Sequence, residues 1–263
     1  MLGAIIGDIV GSRFEHSSDK SKDFAFFDSS CRPTDDSIMT VAVGLACVEA
    51  DFGDEDSFKT ILIERMKELG RIYPYAGYGG NFYSWLMSDE SIPYGSFGNG
   101  SGMRVSPTAW AADNIDDVRT LARWSAEVTH DHPEGIKGAE AVASAVFLAR
   151  KGFSKEEIKE YIEEHFYDLD FTLDEIRPEY SFDVTCMGSV PQAIVCFLEA
   201  EDFEDAVRNS VSLGGDSDTI AAMAGAIAEA FFGIPPEIEE EGLEFLDETL
   251  SDYYFSYADE LYK

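Results

Sequence analysis

Apolar residues recur along this chain with a helical period rather than with the alternation typical of half-buried strands. Apolar positions three and four residues apart, set among good helix formers, predict helices over about residues 2–12, 34–50, 55–70, 77–87, 116–129, 134–151, 154–164, 187–200, 203–213, 216–232 and 239–262. Prolines separate these segments, except that Pro191 lies inside one of them, where it kinks or begins the helix. The pattern therefore predicts an all-α fold, a compact multi-helix bundle.

Three of the predicted helices are suited to the middle of the bundle. The first places Gly3, Gly7 and Gly11 four residues apart on one face, which allows another helix to approach closely. The segments 38–46 and 219–228 are apolar or small on nearly every side. Helices of this kind belong inside a bundle. We therefore expect their N-termini to lie close to the interior.

The two central helices after residues 34 and 216 both open with acidic residues, in the segments Thr34–Ser37 and Asp216–Thr219. Each segment alone is explained by helix capping and by the attraction between acids and the helix dipole. Together they place four carboxylates at buried positions with no lysine or arginine beside them, which is costly without compensating cations. Oxygen ligands with no neighbouring His or Cys favour Mg²⁺ or Mn²⁺ over zinc, so we expect the two helix starts to meet around metal ions.

Three further segments supply candidate ligand-contacting residues. Glu15 follows Asp8 by two helical turns and is either a surface glutamate or a carboxylate that accepts a proton from water. The glycine-rich loop 98–104 is either an ordinary turn or a set of backbone N–H groups directed at a phosphate. His130 and His132 either bond to a helix end or contact a polar ligand, since no third zinc ligand lies near them in the sequence.

Composition limits the classes of function. The 263 residues include 52 acidic and 19 basic side chains, a formal net charge of −33. This charge disfavours general nucleic-acid binding and binding to anionic membranes, while 45% apolar residues exclude a disordered acidic tail. The sequence predicts no membrane span and no secretory signal. Four cysteines without zinc spacing favour a reducing compartment, so we expect a cytoplasmic protein.

Five motifs, in order, resemble the signatures of the ADP-ribosylglycohydrolases, the family of the dinitrogenase reductase-activating glycohydrolase and the ADP-ribosyl-acceptor hydrolases. They cover residues 7–15, 34–37, 98–104, 129–130 and 214–219. The resemblance implies one domain over residues 1–263 with the ADP-ribosylglycohydrolase fold, an all-α bundle around a central dinuclear site that holds two Mg²⁺ or Mn²⁺ ions. The implied metal ligands are Thr34, Asp35, Asp36, Asp216, Asp218 and Thr219.

The resemblance also implies a reaction and ligand contacts. Glu15 would act on the attacking water, His130 would touch the ligand, and the loop would bind the diphosphate and distal ribose. The loop residues are Gly98, Asn99, Gly100, Ser101, Gly102 and Met103, and Arg104 would help to offset the phosphate charge. The predicted activity is metal-dependent hydrolysis of the bond between the distal ribose of ADP-ribose and an acceptor. The substrate would be an ADP-ribosylated protein or a small ADP-ribose conjugate, and we expect a monomer.

Two alternatives use the same residues. A two-metal phosphohydrolase would act at phosphorus and release inorganic phosphate or AMP. A catalytically silent relative would bind ADP-ribose or have a structural role, although all six implied ligands and Glu15 are present. The acceptor is left open between arginine, serine, a nucleic-acid end and a metabolite. The segment 71–85 carries none of the acids that help to define the substrate in such proteins.

Overall fold

The computed structural model describes residues 1–15 and 20–263, and these residues form fifteen α-helices and no named strand. The helices are α1 (Leu2–Gly11), α2 (Asp35–Glu49), α3 (Glu55–Ile72), α4 (Gly80–Met87), α5 (Gly100–Met103), α6 (Thr108–Ala111), α7 (Ile115–Glu127), α8 (Pro133–Arg150), α9 (Lys155–His165), α10 (Leu173–Ile176), α11 (Cys186–Leu198), α12 (Phe203–Leu213), α13 (Ser217–Phe232), α14 (Pro236–Leu243) and α15 (Glu248–Leu261). The predicted all-α fold is confirmed.

Ten of the eleven predicted helices are present with ends shifted by a few residues, and the prediction of a single helix over 239–262 is wrong. That segment forms α14 and α15, because the side chain of Asp247 accepts a hydrogen bond from the amide of Leu250 and begins a new helix. Three four-residue helices, α5, α6 and α10, lie outside the predicted segments, since one helical turn is too short to show a period. Pro191 lies inside α11, which begins five residues before it at Cys186.

The glycine face of α1 lies directly against α13, as the sequence predicts. A Cβ atom added at Gly7 would lie 2.0 Å from the carbonyl oxygen of Ala221, and one at Gly11 would lie 2.5 Å from Cα of Asp218. Every residue of α1 is buried, and α13 is buried from Ser217 to Glu229. The close contact therefore sets the end of α1 beside the first turn of α13.

We expect the substitution Gly7→Ala to lower the free energy of unfolding by about 2 kcal/mol, because the added methyl group meets rigid backbone and the two helices must separate. Thermal unfolding of the purified protein measures the change. Gly80→Ala is the matched control, because an added Cβ at Gly80 meets nothing within 4 Å. Equal melting temperatures for Gly7→Ala and the wild type would contradict the packing argument.

Two further properties of the described residues are the hydropathy of the helices and the state of the cysteines. No helix among them combines the length and the apolar character that crossing a membrane requires. The four cysteines, Cys31, Cys47, Cys186 and Cys196, are unpaired thiols, and burial raises the pKa of each one. Buried thiols of this kind pack as small apolar side chains.

Candidate active site

The first turns of α2 and α13, far apart in sequence, meet beside the end of α1. The hydroxyl of Thr219 donates a hydrogen bond to Oδ2 of Asp36 over 3.3 Å. Carboxylate oxygens of Asp8, Asp36 and Asp218 lie within 4.8 Å of one another, and so do those of Glu15, Asp216 and Asp218. Asp218 belongs to both groups. The structure thus brings the two acidic segments together, and Asp218 is the residue that the two groups of carboxylates share.

Asp8 is part of this cluster, although the sequence analysis gave it no role. It lies in α1, is fully buried, and accepts hydrogen bonds from the amide and hydroxyl of Thr34 over 2.8 and 2.6 Å. It also accepts bonds from the hydroxyl and amide of Ser37, the latter over 3.0 Å. Burial raises the pKa of Asp8 to about 6, against the opposing effect of these bonds. Asp8 therefore joins α1 to the first turn of α2.

The two acids that open α2 have different surroundings. Thr34 caps the helix by accepting a hydrogen bond from the amide of Asp36, and the amide of Asp35 donates to the carbonyl of Ala76 over 3.0 Å. Within the described residues, the buried Oδ1 of Asp36 has no hydrogen-bond partner. Burial and the charge of Asp8 raise the pKa of Asp35 to about 8 and that of Asp36 well above its usual range.

The acids that open α13 are joined to the glycine-rich loop. Asp216 accepts a 2.6 Å hydrogen bond from Nδ2 of Asn99, and Oδ1 of Asp218 accepts one from the amide of Thr219 over 2.9 Å. Burial raises the pKa of Asp216 despite the bond from Asn99. Burial, followed by the charge of Asp216, raises the pKa of Asp218 well above its usual range. The loop and the acids therefore form one connected site.

The donor set fits hard divalent cations. Within residues 1–15 and 20–263, no ion pair forms to the five aspartates at positions 8, 35, 36, 216 and 218. Buried carboxylates without a cation are costly, and carboxylate and hydroxyl oxygens are the ligands that Mg²⁺ and Mn²⁺ prefer. The unpartnered oxygen of Asp36 is an observation that a bound cation explains directly.

We expect the metal-free protein to lose stability as the pH rises from about 4 to about 8. The pKa values of Asp8 and Asp35 rise from 3.8 to about 6 and about 8 in the folded state. The folded state therefore binds protons more tightly than the unfolded state. The resulting stability is fully present below the unfolded pKa and is lost as the pH passes the folded values. Melting temperatures measured in EDTA across this range test the expectation.

Added Mg²⁺ gives the complementary measurement. Because cations compete with protons for the same oxygens, Mg²⁺ should raise the melting temperature more at about pH 8 than at about pH 5. A metal-free melting temperature that climbs steadily over this range would contradict the assignment of raised pKa values to the acidic cluster.

Glu15 reaches the site from a turn rather than from a helix. Asp8 and Glu15 would share one side of a helix only if α1 extended to residue 15, and α1 ends at Gly11. The amide of Phe14 bonds to the carbonyl of Gly11 over 2.8 Å, and this turn leads the chain to Glu15. The carboxylate of Glu15 nevertheless lies within 4.8 Å of those of Asp216 and Asp218.

The glycine-rich loop is pinned to the chain before α11. The amide of Asn99 donates to the carbonyl of Val184 over 2.8 Å, and the carbonyl of Asn99 accepts bonds from the amides of Gly102 and Met103 at the start of α5. These bonds use some of the backbone N–H groups that the sequence predicts to face an anion, so fewer of them are available to a ligand. The amides of Gly100 and Ser101, in the first turn of α5, are the ones not used in these bonds.

A cavity of about 390 Å³ opens beside the acids and the loop. Its walls include most of the predicted site residues, namely Glu15, Thr34, Asp35, Asp36, Gly98, Asn99, Gly100, Met103, His130, Asp216, Asp218 and Thr219. Ser101 and Gly102 are not in the wall. The hydroxyl of Ser101 donates to the carbonyl of Gly135 over 2.7 Å, and a Cβ at Gly102 would lie 3.0 Å from Sδ of Met223. The hydroxyl of Ser101 and the Cβ position of Gly102 therefore face the protein interior.

Further parts of the cavity wall come from the first turn of α4 and from loops. The first turn of α4 lies in the aromatic segment 73–85, which the sequence predicts either to pack in the core or to stack on a base or ribose. These parts of the wall include Asn81, Phe82, Tyr94, Ser96, Phe182 and Val184, with Arg32 at an exposed position. Aromatic and amide side chains give a surface that can pack against a planar ring and hydrogen-bond to its edge. The sequence signal for Tyr94, Ser96, Phe182 and Val184 is weak, because these four residues lie in loops without helical periodicity.

The two histidines have different roles. His130 is buried in the cavity wall, with Nδ1 2.7 Å from the hydroxyl of Thr129. Burial, followed by the charge of Arg104, lowers the pKa of His130 well below its usual range, so its ring is neutral. His132 caps α8 by accepting a hydrogen bond from the amide of Glu134 over 3.1 Å. His132 therefore has the helix-end role and His130 faces the ligand space.

Comparisons with known proteins identify the family of this chain. The sequence profile of the ADP-ribosylglycohydrolase family matches residues 1–263. The chain is 28% identical to ADP-ribosylhydrolase ARH3 of Mus musculus over 95% of this chain and 87% of that protein. It is 25% identical to ADP-ribosylarginine hydrolase Tri1 of Pseudomonas putida (strain GB-1), over 92% of this chain and 72% of that protein.

A solved structure described as an ADP-ribosylglycohydrolase-related protein complex has the same fold. The TM-score is 0.65 at 22% sequence identity, and the match covers 98% of this chain and 96% of the other. Because the family profile spans the whole sequence, the chain belongs to the ADP-ribosylglycohydrolase family. It is accordingly a hydrolase that cleaves ADP-ribose from an acceptor.

Proposed function

We propose that the protein hydrolyses the bond between the distal ribose of ADP-ribose and its acceptor with two Mg²⁺ or Mn²⁺ ions. Thr34, Asp35, Asp36, Asp216, Asp218 and Thr219 would hold the ions. The observation that carries the proposal is the meeting of two acidic helix starts around a buried, unpartnered oxygen of Asp36. When bound, the ions would supply positive charge to orient the ribose hydroxyls and to acidify water.

Residues of the chain itself would perform the other parts of the reaction. Glu15 lies beside Asp216 and Asp218 and would accept the proton of the attacking water. The negative charge of the cluster also favours the oxocarbenium-like transition state of glycoside hydrolysis. The neutral ring of His130 and the amides of Gly100 and Ser101 would bind the diphosphate. These contacts would hold the anomeric carbon of the ribose beside Glu15.

The substrate would be an ADP-ribosylated protein or a small ADP-ribose conjugate. Among the relatives, one is named for arginine-linked ADP-ribose, and this chain shares 25% identity with it. A panel of arginine-, serine- and phosphate-linked conjugates, assayed with and without Mg²⁺ or Mn²⁺, would identify the acceptor. We expect free ADP-ribose as the product. Release of inorganic phosphate or AMP would instead indicate a phosphohydrolase, and binding without turnover on any conjugate would indicate a silent relative.

We propose that residues 1–263 form one domain that acts as a monomer in the cytoplasm. Unpaired cysteines support a reducing compartment. One contiguous hydrophobic core, to which α1, α2, α8, α11 and α13 all contribute, supports a single domain. Light scattering of the purified protein tests the oligomeric state, and a stable dimer would contradict the proposal.

A further inference from the structure

Among residues 1–15 and 20–263, no acidic side chain forms an ion pair with the buried guanidinium of Arg104, which lies next to the cavity. Arg104 directly follows α5, is fully buried, and lines the cavity. Its Nη2 donates to the carbonyl of Ser125 over 2.8 Å and to the hydroxyl of Thr129 over 2.9 Å. Within the described residues, Nε and Nη1 have no hydrogen-bond partner. Burying a positively charged group in this way costs free energy. Packing alone therefore does not explain why the guanidinium of Arg104 lies at this position.

Thr129 connects Arg104 to His130. Its hydroxyl oxygen accepts the bond from Nη2 of Arg104 and lies 2.7 Å from Nδ1 of His130. A guanidinium can only donate, whereas a hydroxyl both accepts and donates one proton. With one lone pair of the oxygen used by Arg104, Thr129 can donate its proton to Nδ1 or use its second lone pair to accept a bond from Nδ1–H. A neutral imidazole carries a single proton, so a donor at Nδ1 places that proton on Nε2.

The Nε2 atom of His130 faces the glycine-rich loop. A Cβ added at Gly100 would lie 3.1 Å from Nε2, and one added at Gly98 would lie 3.6 Å from it. The imidazole therefore packs closely against the loop, and a side chain at Gly100 would crowd it. Nε2 of His130 thus lies next to Gly98 and Gly100 of the glycine-rich loop.

We propose that Arg104 and Thr129 are positioning residues, which fix the tautomer and orientation of His130 so that its Nε2–H donates to a phosphate oxygen of the ligand. The inference rests on the proposed function, since the anion is the diphosphate of ADP-ribose. The positive charge of Arg104 adds a local attraction for this anion in a protein whose net charge is −33. Arg104 acts through Thr129 and His130.

Ligand titration separates this role from simple packing. Thr129→Val keeps the shape of the side chain and removes the hydroxyl, whereas Thr129→Ser keeps the hydroxyl. We expect Thr129→Val to weaken ADP-ribose binding by roughly tenfold, the cost of one hydrogen bond to a charged group. Binding of adenosine, which lacks phosphate, should change by less than about twofold, since it makes no such bond. Thr129→Ser should bind both ligands like the wild type.

The matched control is Thr120→Val on α7, whose hydroxyl bonds only to the carbonyl of Asp116 in the described structure. This control should leave both affinities unchanged. Equal losses for ADP-ribose and adenosine in Thr129→Val would show a structural role only, and unchanged ADP-ribose binding would also overturn the inference. If the wild type binds no ADP-ribose, the proposed function fails instead, which is a distinguishable result.

Nitrogen-15 spectroscopy of the imidazole tests the tautomer without any ligand. In the wild type we expect the unprotonated shift at Nδ1 of His130 and the protonated shift at Nε2, with the signals assigned by their absence in His130→Gln. A proton on Nδ1 in the wild type would overturn the inference. This measurement and the Thr129→Ser titration decide the question even if Thr129→Val does not fold.

Discussion

Asp218→Asn is expected to lower affinity for Mg²⁺ or Mn²⁺ and the rate of ADP-ribosyl hydrolysis, each by at least about 100-fold. Asp218 is the residue that the two acidic groups share, so its substitution removes one carboxylate from both. Asparagine keeps the size of the side chain but removes its charge. Isothermal titration with each cation measures the affinity, and release of free ADP-ribose measures the rate.

The stability of the same variant separates a lost cation site from a lost fold. In EDTA, Asp218→Asn should melt at or above the temperature of the wild type, because one buried negative charge beside Asp8, Asp36 and Asp216 is gone. Asp116→Asn is the control, since Asp116 is exposed and also lies in the first turn of a helix. Equal cation affinities for Asp218→Asn and the wild type would contradict the metal site.

Glu15→Gln is expected to lower kcat by about 10²-fold or more, the usual effect of removing a general base. Glutamine retains the size and hydrogen-bonding capacity of the side chain but cannot accept a proton from water at neutral pH. Affinity for ADP-ribose and for Mg²⁺ should stay close to that of the wild type. Steady-state kinetics together with titration of both ligands measure the separation between binding and turnover.

The cation titration decides between two roles for Glu15. Its carboxylate lies close to those of Asp216 and Asp218, so a ligand role would appear as weakened cation binding in Glu15→Gln. A near-normal rate would show that neither role is correct. Glu240→Gln is the control, because Glu240 is an exposed acid on α14 and all three measurements should stay unchanged.

The fold was predictable where a long segment carries a single dominant signal. Helices such as α3 and α7 show their period, over 18 and 13 residues. The glycines at positions 3, 7 and 11 predict a close helix contact, and the structure places α13 there. The division between α14 and α15 was not predictable from periodicity, because the apolar pattern continues across the boundary and only the capping side chain of Asp247 interrupts it.

The candidate site was predictable where acidic side chains occupy positions that the apolar pattern predicts to be buried. Acidic residues at the start of an otherwise apolar helix are unusual, and this pattern identified the segments 35–36 and 216–218. The same reasoning applies to Asp8, a lone acid in the otherwise apolar α1, and would have placed it in the cluster. The walls formed by residues such as Tyr94 and Phe182 were not predictable, because loop positions depend on distant contacts and not on a local pattern.

The acids that surround Asp218 lie far apart in the sequence. Asp8 and Asp36 lie near the beginning of the chain, whereas Asp216 lies near residue 220. A cut anywhere between Asp36 and Asp216 divides the cluster, so neither fragment alone carries a complete set of oxygen donors. Partial activity cannot survive as a property of one half. Truncation that removes either the segment up to Asp36 or the segment from Asp216 onward therefore removes part of the donor set, even where much of the helical scaffold is retained.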